Sequence, residues 1–182
     1  MTHAVGMVET NCIAKGIEAA DKMLKAADVN LLSAQTACAG KYVVIISGDV
    51  AAVKASVEAG AAGAEETLVD SMVIPNIDEQ VLKAVSACGE PKNFDALGIV
   101  ETFSLVSALL CADAAVKAAD VELIEIRLGR GLGGKSFLTL TGDVAAVRHA
   151  LEAAKSDEGV TGMITRTVVI PSPHPDLKRS VY

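Results

Sequence analysis

Residues 129–136 read GRGLGGKS: glycine, four residues, glycine, lysine and serine, the lettering of a loop that wraps phosphates in backbone amides and a lysine. Such a loop works between a strand and a helix, because the free amides and the dipole at the helix start hold the anion. Here FLTLTGDV follows, and in it Leu138 and Leu140 alternate with Thr139 and Thr141 as in a half-buried strand, with a helix expected only after a cap at Asp143. The spacing therefore predicts a strand-to-strand hairpin and disfavours a nucleotide-splitting enzyme. Other catalytic or metal groupings are thin. Cys12, Cys38, Cys88 and Cys111 form no C-x-x-C pair, so neither a disulfide framework nor a one-chain zinc site is supported. Cys111 lies on the apolar side of a helical stretch, where a thiol packs, and Cys12 and Cys88 read as incidental. His149 and His174 have no ligand partner at helical spacing, and no paired carboxylates or Ser-His-Asp set points to an enzyme.

The elements that position these residues occur twice. VGMVET at 5–10 returns as LGIVET at 97–102, and KAADV at 25–29 returns at 117–121, both 92 residues on. SGDVAAVKASVEA at 47–59 returns as TGDVAAVRHALEA at 141–153, 94 residues on, so two residues are gained between these blocks. VIP at 73–75 returns at 169–171. Two homologous domains follow, 4–86 and 96–175, joined by the polar stretch CGEPKNFDA. In the first, a strand at 5–9 precedes an amphipathic helix with Ile13, Ile17, Ala20, Leu24 and Ala27 on its apolar stripe. Strands at 29–36 and 42–47 flank a tight loop; Asp49 then caps a second helix striped by Val50, Val53, Val57 and Ala61, and a last strand runs over 67–74. The order β-α-β-β-α-β is the ferredoxin-like α+β pattern, with two helices on one face of an antiparallel sheet. The counterpart of GRGLGGKS in the first domain is TACAGKY, which keeps the glycine and lysine and lacks the phosphate-loop lettering. If several such domains close into a ring around these corners, each loop lines a pore, and only small residues fit near the axis.

Composition agrees with assembly. Hydrophobic residues make up 51% of the chain and aromatics only 3%, so the core is built from small side chains, and the surplus of apolar surface suits burial between subunits. Every apolar run is broken before the roughly 18 residues of a membrane span. The start of the chain lacks the pattern of a secretory signal, so a cytoplasmic setting is expected. A net charge of −7 argues against a nucleic-acid partner.

These residues together resemble the bacterial microcompartment shell proteins, and among them the tandem-domain members. The resemblance rests on GMVET and GIVET, on AADKMLKAADV and CADAAVKAADV, on GKYVVIISGDVAAV and GKSFLTLTGDVAAV, and on the VIP endings with PSPHP. It implies a homotrimer shaped like a hexagonal tile that packs with other shell proteins around a metabolic compartment. The pore would be lined by Thr36, Ala37, Ala39 and Gly40 of one loop and Arg130, Gly131, Gly133 and Gly134 of the other. In members with a T-x-C-x-G-K loop, the cysteine faces the threefold axis and three of them hold a 4Fe-4S cluster; Cys38 is the matching residue. Cluster iron takes thiolate ligands, and a threefold axis turns one loop cysteine into three. The resemblance thus implies electron or cluster transfer across the shell, with an encapsulated redox enzyme as a partner. A tile whose pore passes metabolites without a cluster is the alternative, and an effector-binding ferredoxin-like regulator is the rival from another class. Lys25 and Lys117, by default solvated helix-end lysines, match family positions on the tile edge. Where many members read I-P-R-P-H, this chain has Ser172 in the second repeat and VIPNID in the first, so edge contacts are expected to differ. Arg130 adds positive charge to the second loop.

Overall fold

Valine- and isoleucine-rich segments with a two-residue period form the strands here, and the alanine-rich stretches between them form the helices. The computed structural model describes residues 3–86, 89, 91, 94–129 and 131–178; Arg130 and Cys88, considered above, lie outside the described residues. The order is β1 (His3–Thr10), α1 (Ile13–Ala26), β2 (Asn30–Ala37), β3 (Lys41–Asp49), α2 (Val50–Ala64), β4 (Leu68–Ile74), α3 (Glu79–Val85), β5 (Ala96–Thr102), α4 (Leu105–Ala118), β6 (Glu122–Leu128), β7 (Ser136–Gly142), α5 (Val144–Ser156), β8 (Ile164–Pro171) and α6 (Pro175–Lys178). Each repeat is a four-stranded antiparallel sheet, ordered β2-β3-β1-β4 in the first and β6-β7-β5-β8 in the second, the expected ferredoxin-like α+β topology. By contacts the chain divides into units 1–77 and 78–182.

In the first unit Val8, Val44 and Ile46 of the sheet pack against Ala19, Met23, Val53 and Val57 of the helices. Asp49 stands at the start of α2, as expected, but its carboxylate makes no capping hydrogen bond. The apolar stripe assigned to α1 is only partly buried. Ala20 is enclosed, whereas Ile13, Ile17 and Leu24 are 41%, 54% and 40% exposed. The face turned to the sheet is instead Gly16, Ala19, Ala20 and Met23. Small residues win this face because they let the helix axis approach closely: a Cβ on Gly16 would stand 2.4 Å from Tyr42 Cβ.

The second unit builds the same frame from larger side chains, with Leu109, Leu138, Leu140, Val147 and Leu151 in its interior. It also receives α3, a seven-residue helix between the repeats that the sequence pattern did not disclose. Asp78 caps α3 through Gln80 N–H at 2.9 Å, and Val81 and Ala84 are fully buried. Among the described residues no helix is long and apolar enough to cross a membrane.

Candidate functional site

The β2–β3 hairpin closes through Cys38, Ala39 and Gly40, with Ala37 paired to Lys41 at its mouth. Ala39 and Gly40 have φ of 48° and 75°. This left-handed turn suits the strand twist, and glycine takes it without a Cβ penalty. Cys38 is half-buried at the tip, with Ala37 half-buried beside it and Thr36, Ala39 and Gly40 exposed. In the second repeat the corresponding connection runs from Gly129 to Lys135, with φ of 62°, 70°, 63° and 88° at Gly129, Gly131, Gly133 and Gly134. A Cβ on Gly131, Gly133 or Gly134 would meet nothing, so within one chain these glycines serve backbone conformation and not crowding. β7 starts at Ser136 and α5 only at Val144. GRGLGGKS is thus a hairpin loop, without the helix start that phosphate binding needs.

The lysine of each loop is held by the glutamate that ends the first strand. Lys41 Nζ lies 2.7 Å from Glu9 Oε1, and Lys135 Nζ lies 2.9 Å from Glu101 Oε1. Both are diagonal pairs on neighbouring strands, since Glu9 faces Val43 and Glu101 faces Phe137. The Glu9 carboxylate is buried, so the partner lysine answers the cost of desolvating it. Glu101 is more open; its hydrogen bond from Lys135 is the main reason its pKa falls below the ordinary glutamate value. The surroundings of the two pairs differ in sign, because Glu9 is registered with Asp70 on β4 and Glu101 with Arg166 on β8. Arg127, 5.4 Å over the Phe137 ring, adds a second cation to this end of the second sheet.

Lys25 and Lys117 end the first helix of each repeat. Lys25 Nζ meets Asp21 at 2.6 Å in full solvent, and Lys117 Nζ meets Asp113 at 2.5 Å. Asp113 is buried and also accepts a hydrogen bond of 2.8 Å from Asp78 N–H, so the start of α3 braces α4. Cys111 is buried in α4, its thiol pushed up to about 12 by desolvation, which keeps it protonated and inert at neutral pH. His149 and His174 are exposed. Sequence reasoning passed over Glu9, Glu101 and Asp113, although recurrence of the VET glutamate and of an aspartate four residues before Lys25 and Lys117 was a usable signal.

The donor chemistry at the hairpin tip can be tested for an iron–sulfur cluster. Among the described residues no group of three or more His, Cys, Asp or Glu side chains within the chain could hold a metal ion. A cluster would therefore draw its ligands from several copies. Cys38 fits that demand, being a soft sulfur donor at a turn tip.

The chain consists of two repeats of one α+β sheet-and-helix layer, each with a glycine-bearing hairpin, and comparison with known proteins gives the class to which such a repeat belongs. The bacterial microcompartment (BMC) domain model matches residues 4–77 and again 96–173, and the chain belongs to this family. It is 41% identical over its whole length to the microcompartment shell protein PduT of Citrobacter freundii, covering 98% of that protein. It is 31% identical to the carboxysome assembly protein CcmO of Synechococcus elongatus, over 98% of this chain and 68% of that one. A crystal structure of a microcompartment protein from Desulfitobacterium hafniense superposes with a TM-score of 0.94 at 52% identity, covering 97% of this chain and 98% of that one. The chain is accordingly a tandem-domain shell protein of a bacterial microcompartment, close to PduT, with a structural and not an enzymatic role.

Proposed function

We propose that three copies close into a pseudohexameric ring with the loops around Cys38 and Gly131 at its axis, and that the three Cys38 thiolates hold one 4Fe-4S cluster in the pore. The observation that carries this reading is the asymmetry of the two hairpins: the first presents a sulfur at its tip, and the second presents glycines over the described part of the same corner. Threefold symmetry multiplies the one sulfur into three thiolates, the number that leaves one iron of a cubane for a non-cysteine ligand. When bound, such a group supplies one-electron chemistry, which suits a tile that passes electrons or a cluster across the shell to an enclosed redox enzyme. The chain's part is to hold three thiolates at one axis. The Glu9–Lys41 pair stiffens the strand that leaves the cysteine turn, and the neighbouring alanines and glycine leave room for three copies to meet. Lys25 and Lys117, on the outer ends of α1 and α4, are assigned to contacts with neighbouring tiles and other shell proteins.

Protein reconstituted with iron and sulfide without oxygen should be brown and carry about four irons per three chains. Cys38→Ser should lose the colour and the iron yet keep the trimer on native mass spectrometry. Cys111→Ser should keep both, because its sulfur is packed against Ala154 O at 3.9 Å. Wild type that binds no iron, or Cys38→Ser that binds as much as wild type, would remove the redox reading and leave a pore for metabolites.

A further inference from the structure

The internal repeat shows how the face of one domain is covered, and leaves the same face open on the other. On the second repeat, α3 docks along the outer side of β6. The Gln80 side chain acts as a short piece of strand there: its amide nitrogen donates to Val121 O at 3.3 Å and its oxygen accepts from Leu123 N–H at 3.0 Å. Asp78 N–H donates to the Asp113 carboxylate, and Leu123 is 3% exposed beneath this cover. The first repeat offers the matching positions 92 residues earlier: Val29 and Leu31 at β2, and Asp21 with its lysine partner on α1. Leu31 is 45% exposed, and Leu24 near the end of α1 is 40% exposed. An edge strand with exposed large apolar side chains is a surface that proteins cover.

The covering segment has its own repeat. α3 follows Ile74–Pro75 through Asn76, which has φ of 55°; α6 follows Ile170–Pro171 through Ser172, which has φ of 49°. The chain thus leaves each last strand through the same left-handed corner. Counting on by the same 96 residues, His174 corresponds to Asp78 and Asp176 to Gln80. Leu177 anchors this turn to Phe94, Leu97 and Ile124 of its own repeat, while His174 and Asp176 stay exposed.

We infer that residues 172–176 of one copy reach the β2 edge of the next copy's first repeat, placing His174 and Asp176 there as Asp78 and Gln80 are placed on β6, while Leu177 stays on its own repeat. In a ring where first and second repeats alternate, the segment leaving a second repeat next meets a first repeat, and that belongs to another copy. His174 N–H then donates to Asp21, and the Asp176 carboxylate accepts from Leu31 N–H. Asp176 lacks the donor that Gln80 turns to Val121 O, so this joint makes one hydrogen bond fewer than its counterpart within the chain. The inference rests on the ring reading given above.

The test uses the full chain with Cys12, Cys38 and Cys88 changed to serine, cysteines introduced at Leu31 and Asp176, and a short bis-maleimide as probe. Covalent dimers and trimers on a denaturing gel are expected, with each chain that carries one of the two introduced cysteines remaining monomeric on that gel, since the retained Cys111 is buried. Leu31→Glu in the native chain should weaken assembly by at least about tenfold, since it places a charge under the cover. A full chain that is trimeric by native mass spectrometry but gives only monomer-sized products would overturn this joint and leave the ring standing. A full chain that is monomeric would overturn both.

Discussion

Replacing Gly16 by alanine measures how tightly the first helix is seated beneath the cysteine hairpin. The added Cβ would lie 2.4 Å from Tyr42 Cβ and 2.7 Å from both Thr10 Oγ1 and Tyr42 Cδ1. Tyr42 Cβ is bonded to the strand backbone, so no rotamer change removes it; α1 must lift by about 1 Å to recover an ordinary carbon–carbon separation of about 3.5 Å. Overpacking of this kind costs about 1–3 kcal/mol. Alanine regains about 1 kcal/mol over glycine inside a helix. Because the clash is with a main-chain-bound atom, the upper part of the cost applies, and a net loss of about 1–2 kcal/mol is expected. The second repeat supplies the compensated version: the positions of Gly16 and Tyr42 are held there by Ala108 and Ser136, with Thr102 registered to Ser136 as Thr10 is to Tyr42. Gly16→Ala combined with Tyr42→Ser should therefore show a favourable coupling of about 1 kcal/mol or more in a double-mutant cycle. Urea unfolding at one fixed protein concentration is the assay, since assembly makes apparent stability concentration-dependent. A Gly16→Ala chain as stable as the parent, with no coupling to Tyr42→Ser, would refute the close seating.

Titration calorimetry with magnesium and ATP should give no saturable heat, and Lys135→Ala should change nothing, because Lys135 already serves Glu101 and the loop opens into a strand; a micromolar site lost in that variant would reverse this conclusion. Charge reversal at Lys117 should reduce the growth of sheets in light scattering while native mass spectrometry still reports the parent assembly, because this lysine stands at a solvent-facing helix end and its partner Asp113 is already held by Asp78 of the same chain. A monomeric variant would move Lys117 from the tile edge to the joint between chains.

Much of this architecture is legible in the sequence, for local reasons. Two-residue alternation after Lys135 excluded a helix there whatever surrounded it, and recurrence of the VET, AADV and GDVAAV segments imposed one topology on both halves. Cys38 at a turn tip follows from the same locality, because a glycine-bearing three-residue loop between strands has few conformations. Other features depend on packing at a distance. In α1 the periodic stripe of Ile13, Ile17 and Leu24 marked an amphipathic helix but not the side that meets the sheet; that choice went to Gly16, Ala19 and Met23, because close approach to Tyr42 depends on volume in three dimensions. The short helix α3 was invisible because seven residues carry little helical signal, and its burial against β6 holds it in place.

By itself, then, the sequence determined two copies of a β-α-β-β-α-β unit, the hairpin nature of both glycine-bearing loops, and the placing of a single loop cysteine, since each depends on neighbours within a few residues or on repetition along the chain. Only the tertiary structure decided that Lys41 and Lys135 turn back to Glu9 and Glu101, that Gln80 completes the edge of β6, and that Leu31 on the matching edge of β2 is left 45% exposed within its own chain. Those pairings join residues 32, 34 and 43 positions apart. Charge and hydrogen-bonding capacity are written in residue types, but which partner satisfies them depends on where the folded sheets carry the chain.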